Sequence, residues 1–192
     1  ILTTLSAGLV YSVDYIISDV LEPHQQNRIK TFINPSADPR GSGWQVTQSI
    51  IAIGSGGFEG KGYLRGTQTK YGFVPDQHTD FIYSTIGEER GWMGSVGVIV
   101  LYIALIFRLL VMGERQKLRF SRVFIYSVAS IFFFHFVVNI GMTIGLMPVI
   151  GIPLPFFSYG GSHTFFNMIG LGILLNISKH ANSYKYKFIN YE

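Results

Sequence analysis

Long apolar runs, separated by polar stretches and short basic segments, restrict this chain more than any other feature of it. At 1.5 Å rise per residue, about 20 apolar residues make a helix that crosses a hydrocarbon layer roughly 30 Å thick. Four stretches approach that requirement. The first covers 1–17, with Asp14 near its end. The second runs from Trp92 to Met112 and the third from Val123 to Met147. The fourth, roughly Thr164 to Ile177, is short but strongly apolar through Phe165, Phe166 and Leu171 to Leu175. The expected fold class is therefore all-α: a polytopic membrane protein with four transmembrane helices and a long extracellular loop containing short helices.

Only 14% of residues are charged, against roughly 25% in an ordinary soluble domain. The 22 glycines suit closely packed membrane helices. The absence of cysteine excludes disulfides and thiolate metal sites. The chain opens on Ile1 with no charged leader or small-residue cleavage site, so a signal peptide is not expected there. The expectation is a piece of a longer protein whose N-terminal part lies elsewhere.

Basic residues near membrane ends set the orientation. The stretch 113–122 carries Arg115, Lys117, Arg119 and Arg122 against Glu114, and 179–192 carries Lys179, Lys185 and Lys187 against Glu192. Both are expected on the cytoplasmic side. The resulting order is a truncated transmembrane helix at 1–17, a large extracellular loop at 18–79, and a transmembrane helix at 80–112. A cytoplasmic loop at 113–122, a transmembrane helix at 123–147, an extracellular loop at 148–161, a transmembrane helix at 162–178 and a cytoplasmic tail at 179–192 follow. The large loop is too long to be an idle connection. Val46 to Ile53 reads as a short helix, with Asn34-Pro35, Asp38-Pro39 and the Gly54 to Gly62 cluster as punctuation.

The cluster Gly54-Ser55-Gly56-Gly57-Phe58-Glu59-Gly60-Lys61-Gly62 lacks the Gly and Ser/Thr positions of a nucleotide-binding P-loop. It is either a flexible turn or backbone brought close to a ligand, with Lys61 as an anion partner. Further on, Pro75 stops one element, and Thr79 or Asp80 is placed to cap the next helix. A helix from Phe81 to Met112 would be about 48 Å long, more than the membrane needs. Its first turns, with Glu88, Glu89 and Arg90, would then project outward or line a watery cavity. Ser84, Gly87, Gly91 and Ser95 recur at three- and four-residue spacing as a face for close helix contact. Asp80 is either a carboxylate favoured by the helix dipole or a general base.

In the third span, His135, Asn139 and Thr143 share one face, and Gly141 and Gly145 form a Gly-x-x-x-Gly pair. That face serves interhelical hydrogen bonds or a proton path. The loop after it, Pro148 to Ser162, carries three prolines and no charge, a rigid re-entrant or capping hairpin. Ser158 or Ser162 is placed to cap the last helix.

Two ordered motifs then stand out. One is Pro75-Asp76-Gln77-His78-Thr79-Asp80-Phe81-Ile82, followed by Gly87-Glu88-Glu89-x-Gly91. The other runs from Asn139 through Gly145-Leu146-x-Pro148 to Phe156-Phe157-Ser158-Tyr159-Gly160-Gly161-Ser162. Together they resemble the SEDS family (shape, elongation, division and sporulation) over nearly the whole chain. Gly60-Lys61-Gly62, Gly66-Thr67-Gln68 and Arg28-Ile29 leading to Phe32-Ile33-Asn34-Pro35 resemble its RodA-type branch. Asp76, Arg90 and His163 depart from the usual pattern.

The resemblance implies the last four of ten spans of a peptidoglycan glycosyltransferase in the bacterial cytoplasmic membrane, multi-pass. Such an enzyme polymerises lipid II into a nascent glycan strand on the outer side, for elongation and cell shape. It implies Asp80 as the essential acid, acting as general base. The substrate-binding candidates are Lys61, Arg65, Lys70, His78, Thr79, Glu88, Ser158, Tyr159, Gly160 and Gly161, with the cationic three holding the diphosphate. One carboxylate suffices because pyrophosphate leaves unprotonated, unlike the two-carboxylate hydrolases. No metal-ligand cluster is apparent, although the chemistry admits a divalent cation at the pyrophosphate. The implied partners are a class B penicillin-binding protein and membrane lipid, with no nucleic acid. Two other readings stay open: a lipid II flippase or transporter, and a non-catalytic scaffold of a cell-wall synthesis complex.

Overall fold

The computed structural model describes residues 21–34, 38 and 41–189, with side chains to residue 179. The span expected at 1–17 lies outside these residues, as do Pro35 and Pro39. Among the described residues all regular structure is helical: α1 (Pro23–Ile33), α2 (Ser42–Ser55), α3 (Thr67–Lys70), α4 (Ile82–Glu114), α5 (Arg119–Thr143) and α6 (Gly161–Ile189).

Local chemistry explains the short helices. Pro23 opens α1, where a missing N–H does no harm, and Glu22 and Gln25 cap each other's backbone. The Asp38 carboxylate accepts the N–H groups of Gly41 (2.9 Å) and Ser42 (3.1 Å) at the start of α2. The helix expected over Val46 to Ile53 is thus present and longer, and the 18–79 stretch does contain short helices.

Helices α4 and α5 are long and apolar enough to cross a membrane. They pack along one another around Tyr83, Val98, Tyr102 and Ile140. A second cluster, Leu109, Ile125, Ala129, Phe132 and Leu174, brings in α6. Their outward faces stay apolar: Leu101 is 63% exposed and Phe107 67%. That is the reverse of a water-facing surface and suits lipid contact. Four residues separate α4 from α5, so the basic stretch at 113–122 is a tight turn flanked by helix ends. At the chain's other end α6 continues to Ile189, into the stretch read as a tail.

The interior of α4 is not continuous. Gly91 sits at φ 62°, ψ −157° and breaks the helix. A break exposes carbonyls on one side and N–H groups on the other. The glycine-rich stretch after α2 closes both. Lys61 and Gly62 donate their N–H groups to the carbonyls of Glu88 and Glu89, each at 3.0 Å. Trp92 and Met93 donate theirs to the carbonyls of Gly57 (2.9 Å) and Phe58 (3.3 Å). A Cβ on Gly91 would lie 2.4 Å from the Gly60 nitrogen, so only glycine permits this approach. The Phe58 and Trp92 rings stack at 5.4 Å over the joint. The small-residue face Ser84, Gly87, Gly91 and Ser95 is buried as expected, with Gly87 against Ile53 of α2 and Gly91 against this stretch.

Three local expectations are corrected. The N-cap of α4 is Phe81, not Thr79 or Asp80, because the preceding turn folds onto the Asp76 carbonyl instead. Ser158 does not cap α6, since its hydroxyl accepts the Leu154 N–H of its own loop and donates across the fold to the Thr79 carbonyl. Helix α5 ends at Thr143, ahead of Gly145, which takes φ 76° outside the helix beside Val46 and Ile50. The Gly141–Gly145 pair is therefore not a helix-packing motif.

Candidate active site

Residues 75–81 form a compact turn in which the N–H groups of Thr79, Asp80 and Phe81 all point to the Asp76 carbonyl, at 3.0, 3.0 and 3.1 Å. Asp76 adopts φ 50°, a left-handed conformation that aspartate tolerates. Three carbonyls in a row then face outward from the turn, and each is held by the region 139–159. The His78 carbonyl accepts the N–H of Tyr159 at 2.7 Å. The Thr79 carbonyl accepts the Ser158 hydroxyl. The Asp80 carbonyl accepts the Asn139 side-chain amide at 2.8 Å, and the same amide also donates to the Ile152 carbonyl at 2.8 Å.

The 148–160 loop is itself braced. The Leu154 N–H donates to the Ser158 hydroxyl at 2.7 Å, and the Tyr102 hydroxyl donates to the Pro155 carbonyl. Arg28 of α1 donates to the Ile150 carbonyl at 2.9 Å. The hairpin expected to be rigid is fixed in place from α1, α4 and α5.

The Asp80 side chain, half-buried and ahead of α4, lies over Gly151: a Cβ there would be 3.1 Å from its carboxylate oxygen. Burial, and secondly the charge of Asp76, hold its carboxyl above the ordinary 3.8. The Arg28 guanidinium and a hydrogen bond with Thr79 oppose them. A carboxylate whose proton affinity is raised is a better base than an exposed one.

Beside this turn lie two cavities that share His78, Ile82 and Phe157. One, of about 830 Å³, is lined also by Ser158, Tyr159, Gly160, Gly161, Phe165 and Met168. The other, of about 800 Å³, adds Lys70, Gln77, Glu89 and Arg90. Asp80 is in the lining of neither.

The structure thus gathers His78, Ser158, Tyr159, Gly160 and Gly161 around one cavity, with Lys70 across the other and Thr79 bonded beneath. Arg65 is exposed and borders neither cavity. Lys61 and Glu88 belong to a different centre. Glu88 is 0% exposed, so it does not project into water as expected. Its carboxylate accepts the Lys61 ammonium at 2.7 Å, the Gln68 N–H at 2.9 Å and the Thr69 N–H at 2.8 Å. Hydroxyls of Thr67 (3.3 Å) and Ser55 (3.4 Å) complete the set. Among the described residues no group of three or more His, Cys, Asp or Glu is placed to hold a metal ion.

The polar face of α5 is used mainly for packing. Thr143 bonds within its own helix at 2.8 Å, and its carbonyl accepts the Ser49 hydroxyl at 2.8 Å. The His135 ring stacks on His163 of α6 at 5.7 Å. The roles of Asn139 and Arg28 at the site were not foreseen. The signals for the first were an amide within an apolar run and its place at the head of the second ordered motif.

Residues 1–183 match the FTSW_RODA_SPOVE model, described as cell cycle protein. The chain is 44% identical over 178 residues to the peptidoglycan glycosyltransferase RodA of Treponema pallidum (strain Nichols), covering 91% of this chain and 41% of that protein. It is also 44% identical over 161 residues to the peptidoglycan glycosyltransferase MrdB of Escherichia coli (strain K12), covering 84% and 44%. The chain therefore spans less than half the length of these relatives. Among solved structures, a chain of a peptidoglycan synthase complex that coordinates polymerization and crosslinking superposes with a TM-score of 0.69 at 36% identity, over 94% of this chain and 49% of that one. The rod shape determining protein RodA of Thermus thermophilus superposes with a TM-score of 0.53, also at 36% identity, over 68% and 39%.

Proposed function

This chain belongs to the FTSW_RODA_SPOVE family of cell cycle proteins, on its RodA-type side, and we propose that it carries the catalytic carboxylate of a peptidoglycan glycosyltransferase. The whole protein would join lipid II units into a glycan strand. In that reading Asp80 takes the proton from the attacking sugar hydroxyl as the new glycosidic bond forms at the anomeric carbon. The bond to the lipid diphosphate breaks with its electron pair, and the diphosphate leaves without needing a proton. The observation that carries the proposal is the held turn: a single half-buried carboxylate of raised proton affinity, on backbone tied to a second ordered motif.

The cavities beside His78 would receive the sugar and diphosphate, with Lys70 as the cationic partner in their lining and Arg65 outside it. Lys61 contributes less than its sequence position promised, because Glu88 already neutralises it. Helices α4 and α5 as spans, α6 as a further span, and the 18–79 and 148–161 stretches on the outer face give the topology this chemistry requires, in the bacterial cytoplasmic membrane. The remaining spans would come from the rest of the protein, and a class B penicillin-binding protein would supply the crosslinking partner. The flippase reading draws little support from the α5 face, since Asn139 and Thr143 are engaged in packing.

The test is polymerisation of purified lipid II by the full-length protein and its Asp80→Asn variant. A fall of about 10²–10⁴ in rate is expected. Near-normal glycan product from the variant would reject Asp80 as the base.

A further inference from the structure

Every backbone carbonyl of the His78-Thr79-Asp80 motif is fixed by a different group from beyond residue 138, and the one at the reactive position is fixed by a side chain. Asn139 is 0% exposed and sits inside α5, on the face it shares with His135 and Thr143. Its amide nitrogen makes two bonds of 2.8 Å, one to the Asp80 carbonyl and one to the Ile152 carbonyl. Both acceptors are carbonyl oxygens, so the amide has only one workable orientation, with nitrogen toward them. Its own oxygen is buried with no hydrogen-bond partner among the described residues. Orphaned buried acceptors are disfavoured, so this arrangement persists because the two donated bonds are worth more than the oxygen loses.

Ile152 adjoins Gly151, the residue over which the Asp80 carboxylate lies. One amide therefore sets two things at once: where the Asp80 backbone sits, and where the surface beneath its carboxylate sits. We infer that Asn139 is the positioning residue of the base, fixing the Asp80 carboxylate against Gly151, and that Ser158 supports it one residue upstream through the Thr79 carbonyl. This rests on the reading of Asp80 as the base, and it assigns Asn139 no contact with substrate.

The groups that set the ionisation of Asp80 are burial, Asp76 in the same turn, Arg28 from α1 and Thr79 beside it. Loss of the Asn139 clamp lets the carboxylate withdraw from Gly151 toward water. Its ionised form then becomes easier to reach, and the base operates from a less favourable place. A displacement of this kind, on the scale of an ångström, carries a rate loss of about 10- to 100-fold.

The experiment uses the full-length protein and purified lipid II, with Asn139→Ala, Ser158→Ala and Asp80→Asn measured side by side over a pH series. Thermal unfolding of each variant is followed in the same detergent. Expected for Asn139→Ala is a kcat lower by about 10- to 100-fold, a KM for lipid II within about threefold of the parent, and an acid limb of the rate profile moved to lower pH. Ser158→Ala shows the same pattern more weakly and serves where Asn139→Ala does not fold. The inference is overturned if folded Asn139→Ala keeps parental kcat while Asp80→Asn is inactive. It is equally overturned if kcat falls but the acid limb stays where it was, which is the behaviour of a merely structural amide. Should Asp80→Asn retain activity, the base assignment fails instead, and the two failures are told apart by that one variant.

Discussion

Glu88 and Asp80 flank the start of the same helix, and their surroundings differ in almost every respect. Glu88 is sealed from solvent and meets a lysine ammonium, two backbone N–H groups and two hydroxyls. Asp80 is half-exposed, its backbone carbonyl held tightly and its carboxylate held loosely. A carboxylate saturated with donors is a poor proton acceptor and a good tie between segments. One with few donors and some burial is the reverse. The glycine-rich stretch is therefore a scaffold of this molecule, and the turn at 75–81 carries the proposed base.

The largest expected effects separate the two centres by the quantity that moves. Asp80→Asn should lower polymerisation by about 10²–10⁴ while thermal unfolding of the protein changes little. A marked drop in its unfolding temperature would mean that Asp80 also belongs to the scaffold. Glu88→Ala should do the opposite. It leaves the Lys61 ammonium, 27% exposed, without its partner and strips two N–H groups of their acceptor. Removing one member of a buried pair destabilises by about 3–5 kcal/mol, measured by chemical or thermal unfolding. Unaltered stability in Glu88→Ala would dissolve the contrast.

A smaller effect tests the helix break. Gly91→Ala places an L-residue at φ 62°, which alone opposes folding by about 1–2 kcal/mol, and drives its Cβ against Gly60. Gly97→Ala in the same helix meets nothing within 4 Å and should be neutral or stabilising by up to about 1 kcal/mol. Equal unfolding temperatures for the two variants would mean that the loop does not depend on the break.

The two centres were also unequally readable from sequence. The small-residue face at Ser84, Gly87, Gly91 and Ser95 followed from helical spacing, because packing of neighbouring turns is a local property. The left-handed Gly91 did not follow, since what makes it necessary is a segment from some thirty positions earlier inserting its backbone. Glu88 was assigned to water because an acid in an apolar helix needs either solvent or donors, and its donors come from 55–69. Asp80 and Ser158 were visible as parts of ordered motifs. The bond pattern between those motifs was not, because a hydroxyl placed to cap a helix is equally able to accept an N–H of its own loop and donate to a distant carbonyl. Asn139 stood out as a polar residue in an apolar run, but its two acceptors lie in segments no periodicity connects.

The finest distinction concerns Asp76, which raises the proton affinity of Asp80 by its charge while its carbonyl organises the turn. Asp76→Asn removes only the first role. Asparagine accepts the φ 50° conformation as readily as aspartate, and the backbone carbonyl is untouched. With the neighbouring negative charge gone, Asp80 ionises more readily, so its carboxylate form persists to lower pH. A base works only when ionised; hence the acid limb of the rate profile should move to lower pH. The shift is smaller than that from losing burial, the larger of the two raising influences. An acid limb displaced to higher pH would show that Asp76 acts on Asp80 through structure rather than charge, and the loosely held carboxylate would then be less independent of its scaffold than Glu88's contrast implies.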